Sequence, residues 1–198
     1  MVVLTKPSKA YKPVIIFIDG GYLREGFEKI IGRGIQPKDF DTLQGNLMRY
    51  VVYGNIVGEL MRVYYYDAIV DPTEFPDKYK EQKEYFNNIQ KCDFYTVKLG
   101  RLIKAEKINR QKGVDVLIAI DMLTKAYQNH YDFAGFVGGG DDFVDLIESV
   151  KELAGKRVIG FYFSHNASNR LLNAFDLRLD LSYNLPKWFP KTNPNSDS

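Results

Sequence analysis

The run Val14-Ile15-Ile16-Phe17-Ile18 is apolar at every position, and similar short runs follow at Leu60 to Tyr66, Phe94 to Leu99, Phe133 to Val137 and Val158 to Phe163. A strand without a polar side has to be covered on both faces, which is the condition of a parallel sheet sandwiched between helices. The intervening segments supply those helices. Patterns with helical spacing run over Tyr22 to Ile31, Leu43 to Val57, Lys78 to Gln90, Val114 to Gln128 and Phe143 to Leu153. Five strands alternating with five helices predict an α/β protein: a doubly wound, three-layer sandwich around a mainly parallel central sheet. A short helix after Ser168 and a further strand at Leu177 to Leu181 complete the expected order.

With 198 residues and 45% hydrophobic content, the chain can bury one sizeable core, and no shift in composition divides it. One domain is expected over 14–183, between an N-terminal extension at 1–13 and a polar tail at 184–198. A single cysteine, Cys92, excludes a disulfide within the chain and a cysteine zinc site, and His130 and His165 stand too far apart for a paired-imidazole motif. No stretch approaches the roughly 20 apolar residues of a membrane span. A cytoplasmic protein without membrane contact is the expectation.

Three acidic clusters lie at predicted element boundaries. Asp19 follows the first apolar run, Asp115 falls in the first turn of a helix after Lys112-Gly113-Val114, and Asp141 and Asp142 follow Gly138-Gly139-Gly140 at the end of the fourth strand. Each alone also serves as a turn residue or a helix cap. Together they place carboxylates from three chain segments beyond the carboxyl ends of parallel strands, where open α/β sheets bind ligands. Asp121 lies six residues beyond Asp115, about 120° around a helix at roughly 100° per residue. It is expected to pair with Lys125 or to support the site from behind.

These motifs, read in order, resemble a family. Phe17-Ile18-Asp19-Gly20-Gly21-Tyr22, Lys112-Gly113-Val114-Asp115-Val116 with Asp121-Met122, Gly138-Gly139-Gly140-Asp141-Asp142-Phe143, and Ser168-Asn169-Arg170-Leu171-Leu172 with Ala174 and Asp176 look like successive motifs of NYN domains. These belong to the PIN-like nuclease superfamily, and the resemblance is to its LabA-like branch. It spans about Val14 to Leu181. It implies a PIN-like fold and ribonuclease activity with a divalent metal, magnesium or manganese, bound by Asp19, Asp115 and Asp142. Tyr22 stands where many members have Asn, and Gly140 stands where the family's Ser-Gly-Asp-x-Asp-Phe has its first acid. Asp141, one position on, is the candidate substitute.

Carboxylates alone suit a hard cation and disfavour zinc. The expected chemistry is phosphodiester hydrolysis, with Asp19 and Asp142 on the metal and Asp115 and Asp141 completing the shell or orienting water. Residues 98–112 hold Lys98, Arg101, Lys104, Lys107, Arg110 and Lys112 against Glu106, a local charge of +5 in a chain of +2. Lys104, Lys107, Arg110 and Lys112 could follow a phosphate backbone toward Asp115, and the same segment also reads as a solvated loop or hairpin. Tyr22 is the candidate for base stacking, and Ser164, with His165, for phosphate contact. RNA is the expected partner, with DNA and a homodimer left open. Two other readings stand beside this one. The first is a non-catalytic nucleic-acid or protein binding module on the same fold, suggested by Gly140. The second is a haloacid-dehalogenase-like phosphatase, suggested by Gly140-Asp141-Asp142 with Asp145, although Gly21 stands where its second acid belongs.

Overall fold

In a computed structural model, which describes residues 11–51, 57–105 and 108–190, the chain forms one seven-stranded sheet covered by helices on both faces. Strand β1 (Tyr11–Asp19) runs straight into helix α1 (Gly20–Ile31). There follow α2 (Phe40–Val51), β2 (Val57–Ile69), α3 (Pro76–Gln90), β3 (Tyr95–Ala105), β4 (Ile108–Lys112) and α4 (Val114–Tyr127). The chain continues through β5 (Phe133–Val137), α5 (Val144–Glu152), β6 (Arg157–Tyr162), α6 (Asn169–Ala174), β7 (Leu177–Asp180) and α7 (Leu181–Trp188).

The spatial order is β4-β3-β2-β1-β5-β6-β7, with every neighbouring pair parallel except β3 and β4. Successive strands build outward from β1 in one direction through β2 and β3, then in the other through β5, β6 and β7. The crevice between the ends of β1 and β5 is therefore the topological switch point.

Apolar alternation within β1 shows why helices are needed on both sides. Val14, Ile16 and Ile18 join one core with Leu23 and Phe27 of α1, Leu43 and Leu47 of α2, and Phe86 of α3. Ile15 and Phe17 join the opposite core with Ile118 and Met122 of α4, Ile147 of α5 and Leu171 of α6. Among the described residues no helix is long and apolar enough to cross a membrane.

Three boundaries differ from the sequence expectation. The helix expected to reach Val57 ends at Val51, and Val57 opens β2. The basic segment is a hairpin: β3 continues to Ala105 and β4 returns antiparallel, with Arg101 paired to Lys112 and Ala105 to Ile108. Pairing of β2 with β3 stops at Ile69 and Arg101, so the hairpin lies beyond the carboxyl ends of the strands, on the side of Asp19.

The expected polar tail overlaps α7. Leu181 and Leu185 are fully buried there, Phe189 packs edge-on to Phe27 at 5.1 Å, and Asp180 caps the helix by accepting from the Ser182 amide at 2.8 Å. Apolar burial at positions 181, 185 and 188 outweighs the helix penalty of Pro186.

Candidate active site

Asp19 is the last residue of β1 and the N-cap of α1, accepting from the Tyr22 amide at 3.1 Å. No loop separates strand from helix, so the carboxylate is held at the strand end by the helix it starts. Gly113 adopts left-handed geometry, at φ 85°, and turns β4 directly into α4, which sets Asp115 in the first helical turn. Asp142 lies in the 3-10 turn Asp141–Phe143 that follows β5. Together Asp19, Asp115 and Asp142 line one pocket of about 310 Å³ at the switch point, with Gly21, Tyr22, Glu25, Gly140, Phe143 and Asn166.

The acids feel one another. Burial pushes the Asp19 carboxyl up from 3.8 to about 6; the charges of Asp115 and Asp67 add to this, and the Tyr22 amide opposes it. Asp115 is also raised, first by desolvation and then by Asp142. Among the described residues none of these three has a Lys or Arg within ion-pair distance, whereas Asp39, Asp67, Asp121, Asp132, Asp141 and Asp176 all do. The cluster is thus an uncompensated concentration of negative charge with hard oxygen donors. No three acidic, histidine or cysteine side chains among the described residues converge into a complete cation cage. The donors present fit a cation that takes one or two carboxylates and keeps most of its own water, as magnesium does.

Asp141 does not line the pocket. Its carboxylate accepts from Ser168 Oγ and from Arg170 at 2.5 Å, and these partners, the serine foremost, hold its pKa below the usual carboxylate value. The 3-10 geometry turns neighbouring side chains about 120° apart, so Asp142 faces inward and Asp141 outward. Gly140 lines the pocket in ordinary extended geometry (φ −72°, ψ 141°), and a Cβ there would meet nothing nearer than Phe143 at 3.6 Å. An aspartate therefore fits. Gly140→Asp should fold with stability changed by no more than about 1 kcal/mol in the presence of manganese, and should enlarge the manganese-induced rise in melting temperature. An unchanged manganese response would mean that position 140 does not address the cation.

Of the remaining candidates, Tyr22 is the one described residue that lines this pocket. Its ring packs on Phe163 at 5.3 Å and its hydroxyl accepts from the Phe163 amide at 2.8 Å. Asp121 accepts from Tyr66 at 2.8 Å and pairs with Lys98 at 2.5 Å and Lys125 at 2.9 Å. Burial works against its charge, yet these donors keep its pKa below the ordinary value. Lys98 of the basic tract is thereby committed to Asp121. Ser164 bonds to Ser182, and His165 packs on Phe163 at 5.7 Å. Lys104, Arg110 and Lys112 fall on the hairpin strands by their backbone positions, and Lys107 lies outside the described residues.

Two pocket residues, Glu25 and Asn166, carry no motif. Glu25 lies one helical turn after Tyr22 on α1, a relation readable once the helix is started at Gly20. Asn166 has no such signal, because only folding brings the loop after β6 against the loop after β5. The carbonyl of Asn166 would be 2.3 Å from a Cβ at position 139, so that close approach requires Gly139.

A parallel three-layer α/β fold with carboxylates gathered at its switch point is consistent with the PIN-like class. Within that class the chain belongs to the NYN domain family, whose profile matches residues 13–182. The match is to the family as a whole and does not separate out the LabA-like branch. NYN domains are nuclease-type domains, and nucleic acid is the substrate class that membership indicates. No curated protein matches the chain significantly. Solved structures with the same fold include a protein of unknown function from Vibrio parahaemolyticus, 18% identical, with a TM-score of 0.58 over 90% of this chain and 98% of that one.

Proposed function

We propose that this chain is a metal-dependent endoribonuclease that hydrolyses phosphodiester bonds of RNA, with Mg²⁺ or Mn²⁺ held at Asp19, Asp115 and Asp142, directly by one or two of these carboxylates and otherwise through the ion's own water. The observation that carries this reading is the set of three carboxylates, from three chain segments, facing one pocket without a basic partner among the described residues. Like charges left together cost free energy unless something bound relieves them. When bound, a divalent cation supplies Lewis acidity toward a phosphoryl oxygen and lowers the pKa of a water.

The chain's own groups do the rest. Asp19, fixed as a helix cap, presents a carboxylate of fixed direction. Asp115 and Asp142 offer acceptors for the protons of an attacking water. The hairpin of β3 and β4, at the carboxyl edge of the sheet and leading directly into Asp115, gives a basic approach for the RNA backbone.

The test is cleavage of labelled single-stranded RNA and DNA with manganese or magnesium, beside EDTA and Asp19→Asn controls. RNA cut only with metal and only by the native cluster supports the proposal. The outward turn of Asp141 and the glycine at 140 favour one second reading, a binding module of the same fold. RNA bound but intact under every metal condition would select it.

A further inference from the structure

We propose that Asn166 is a substrate-contacting residue, whose side-chain amide donates a hydrogen bond to a non-bridging oxygen of the RNA phosphodiester entering the acidic pocket; this rests on the nuclease reading above. The pocket is poor in donors. Its ionisable acids are Asp19, Glu25, Asp115 and Asp142, which when charged only accept. The Tyr22 hydroxyl accepts from the Phe163 amide and keeps a single O–H to donate, and Phe143 is apolar. Among the described residues that line the pocket, Asn166 alone has a side chain with N–H groups. Among the described residues that line the pocket, a phosphate that enters gains charge-assisted hydrogen bonds from side-chain N–H groups only there.

The loop that carries Asn166 is anchored while its side-chain amide is left free. The Asn166 backbone N–H donates to Phe163 O at 3.0 Å, and Ser168 N donates to Gly139 O at 3.0 Å. Asp141 then ties Ser168 Oγ and Arg170 to the turn that holds Asp142. Asn166 itself is exposed, and its side chain makes no hydrogen bond to the described residues. A rigid backbone with an uncommitted polar side chain at the pocket rim is the arrangement of a preorganised ligand contact. The same clamp explains Asp141, which positions Asn166 and Asp142 relative to each other.

The experiment measures RNA binding and cleavage for Asn166→Ala and Asn166→Asp beside the wild type, in magnesium. Losing a hydrogen bond to a charged group should raise Kd and KM about tenfold in Asn166→Ala, with a larger rise in Asn166→Asp, which exchanges the donor for a further acid. Because the side chain is exposed, melting temperatures should stay within a few degrees of wild type. A substrate with one non-bridging oxygen replaced by sulfur gives the specific signature. One diastereomer should be penalised in the wild type and not in Asn166→Ala, while the penalty on the other is kept. Unchanged Kd and KM in both variants, or thio penalties identical to wild type, would overturn the proposal. Wild-type protein that binds RNA without cutting it would sink the nuclease reading alone, and the variants' Kd values would still decide the contact. Wild-type protein that neither binds nor cuts RNA would overturn both.

Discussion

Asp19→Asn should remove RNA cleavage and, in EDTA at pH 7.5, make the protein more stable. The two effects have one origin. The Asp19 carboxyl is raised from 3.8 to about 6 chiefly by burial, with Asp115 and Asp67 adding to it, so the folded protein holds this proton more tightly than the unfolded chain does. Stability from this group is therefore present in full below about pH 4 and is lost as pH rises to about 6. Above that the charged form costs up to about 3 kcal/mol, at about 1.4 kcal/mol for each pKa unit. Asparagine removes the charge and keeps the cap, since its side-chain oxygen can still accept from the Tyr22 amide.

Urea midpoints at pH 4 and pH 7.5 separate the contributions. The variant should match wild type at pH 4 and exceed it at pH 7.5, by about 1–3 kcal/mol. Adding manganese should stabilise the wild type and leave the variant nearly unmoved, because a ligand that binds only the folded state raises its stability. Cleavage should fall about 10²–10³-fold, the rate equivalent of the several kcal/mol that a positioned cation contributes. A variant less stable than wild type at pH 7.5 in EDTA would show that Asp19 is a structural cap and that the pocket's charge carries no strain.

What the sequence reveals of the fold and the site is fixed by local chemistry. Asp19 is legible because β1 ends and α1 starts at the same residue, and Asp115 because Gly113 immediately precedes its helix. What the sequence hides depends on partners far away in the chain. A one-residue step within a 3-10 turn separates Asp142 in the pocket from Asp141, whose partners Ser168 and Arg170 come from α6 and its cap. Val57 continues a helical apolar pattern yet opens β2, because pairing with Tyr11 of β1 decides it. The helix α7 is hidden by its polar residues and Pro186, while its buried leucines find their core only against α1, α2 and β6, all separated from the helix in the chain. Asp67 gives no signal within Tyr65-Tyr66-Asp67-Ala68, since its cation lies 43 residues earlier on α1.

That cation sets the second large expectation: Arg24→Met should destabilise the protein by about 3 kcal/mol. Asp67 is fully buried, and Arg24 meets it with two bonds of 2.8 Å, from Nε and from a terminal guanidinium nitrogen. Burial works against the guanidinium's charge, yet the neighbouring carboxylate holds its pKa above the ordinary value. Methionine matches the arginine stem in bulk but strands a buried carboxylate, whose remaining donors are the Tyr65 hydroxyl at 3.0 Å and the Ala68 amide at 2.8 Å. Asp67→Asn should cost less, because the Arg24 side chain is 40% exposed and can turn to solvent. The double variant Arg24→Met with Asp67→Leu should recover much of the loss, since an apolar pair leaves no charge to desolvate. The pair also bears on the site. Gly20 lies so close that a Cβ there would be 2.7 Å from the Asp67 carboxylate, so the first turn of α1 rests on this ion pair while presenting Asp19, Tyr22 and Glu25 to the pocket. Cleavage by Arg24→Met should therefore fall even under conditions where the protein is fully folded. Urea unfolding of the two single variants and the double variant decides the matter: equal stability of Arg24→Met and wild type would mean that Asp67 needs no counter-charge where it lies.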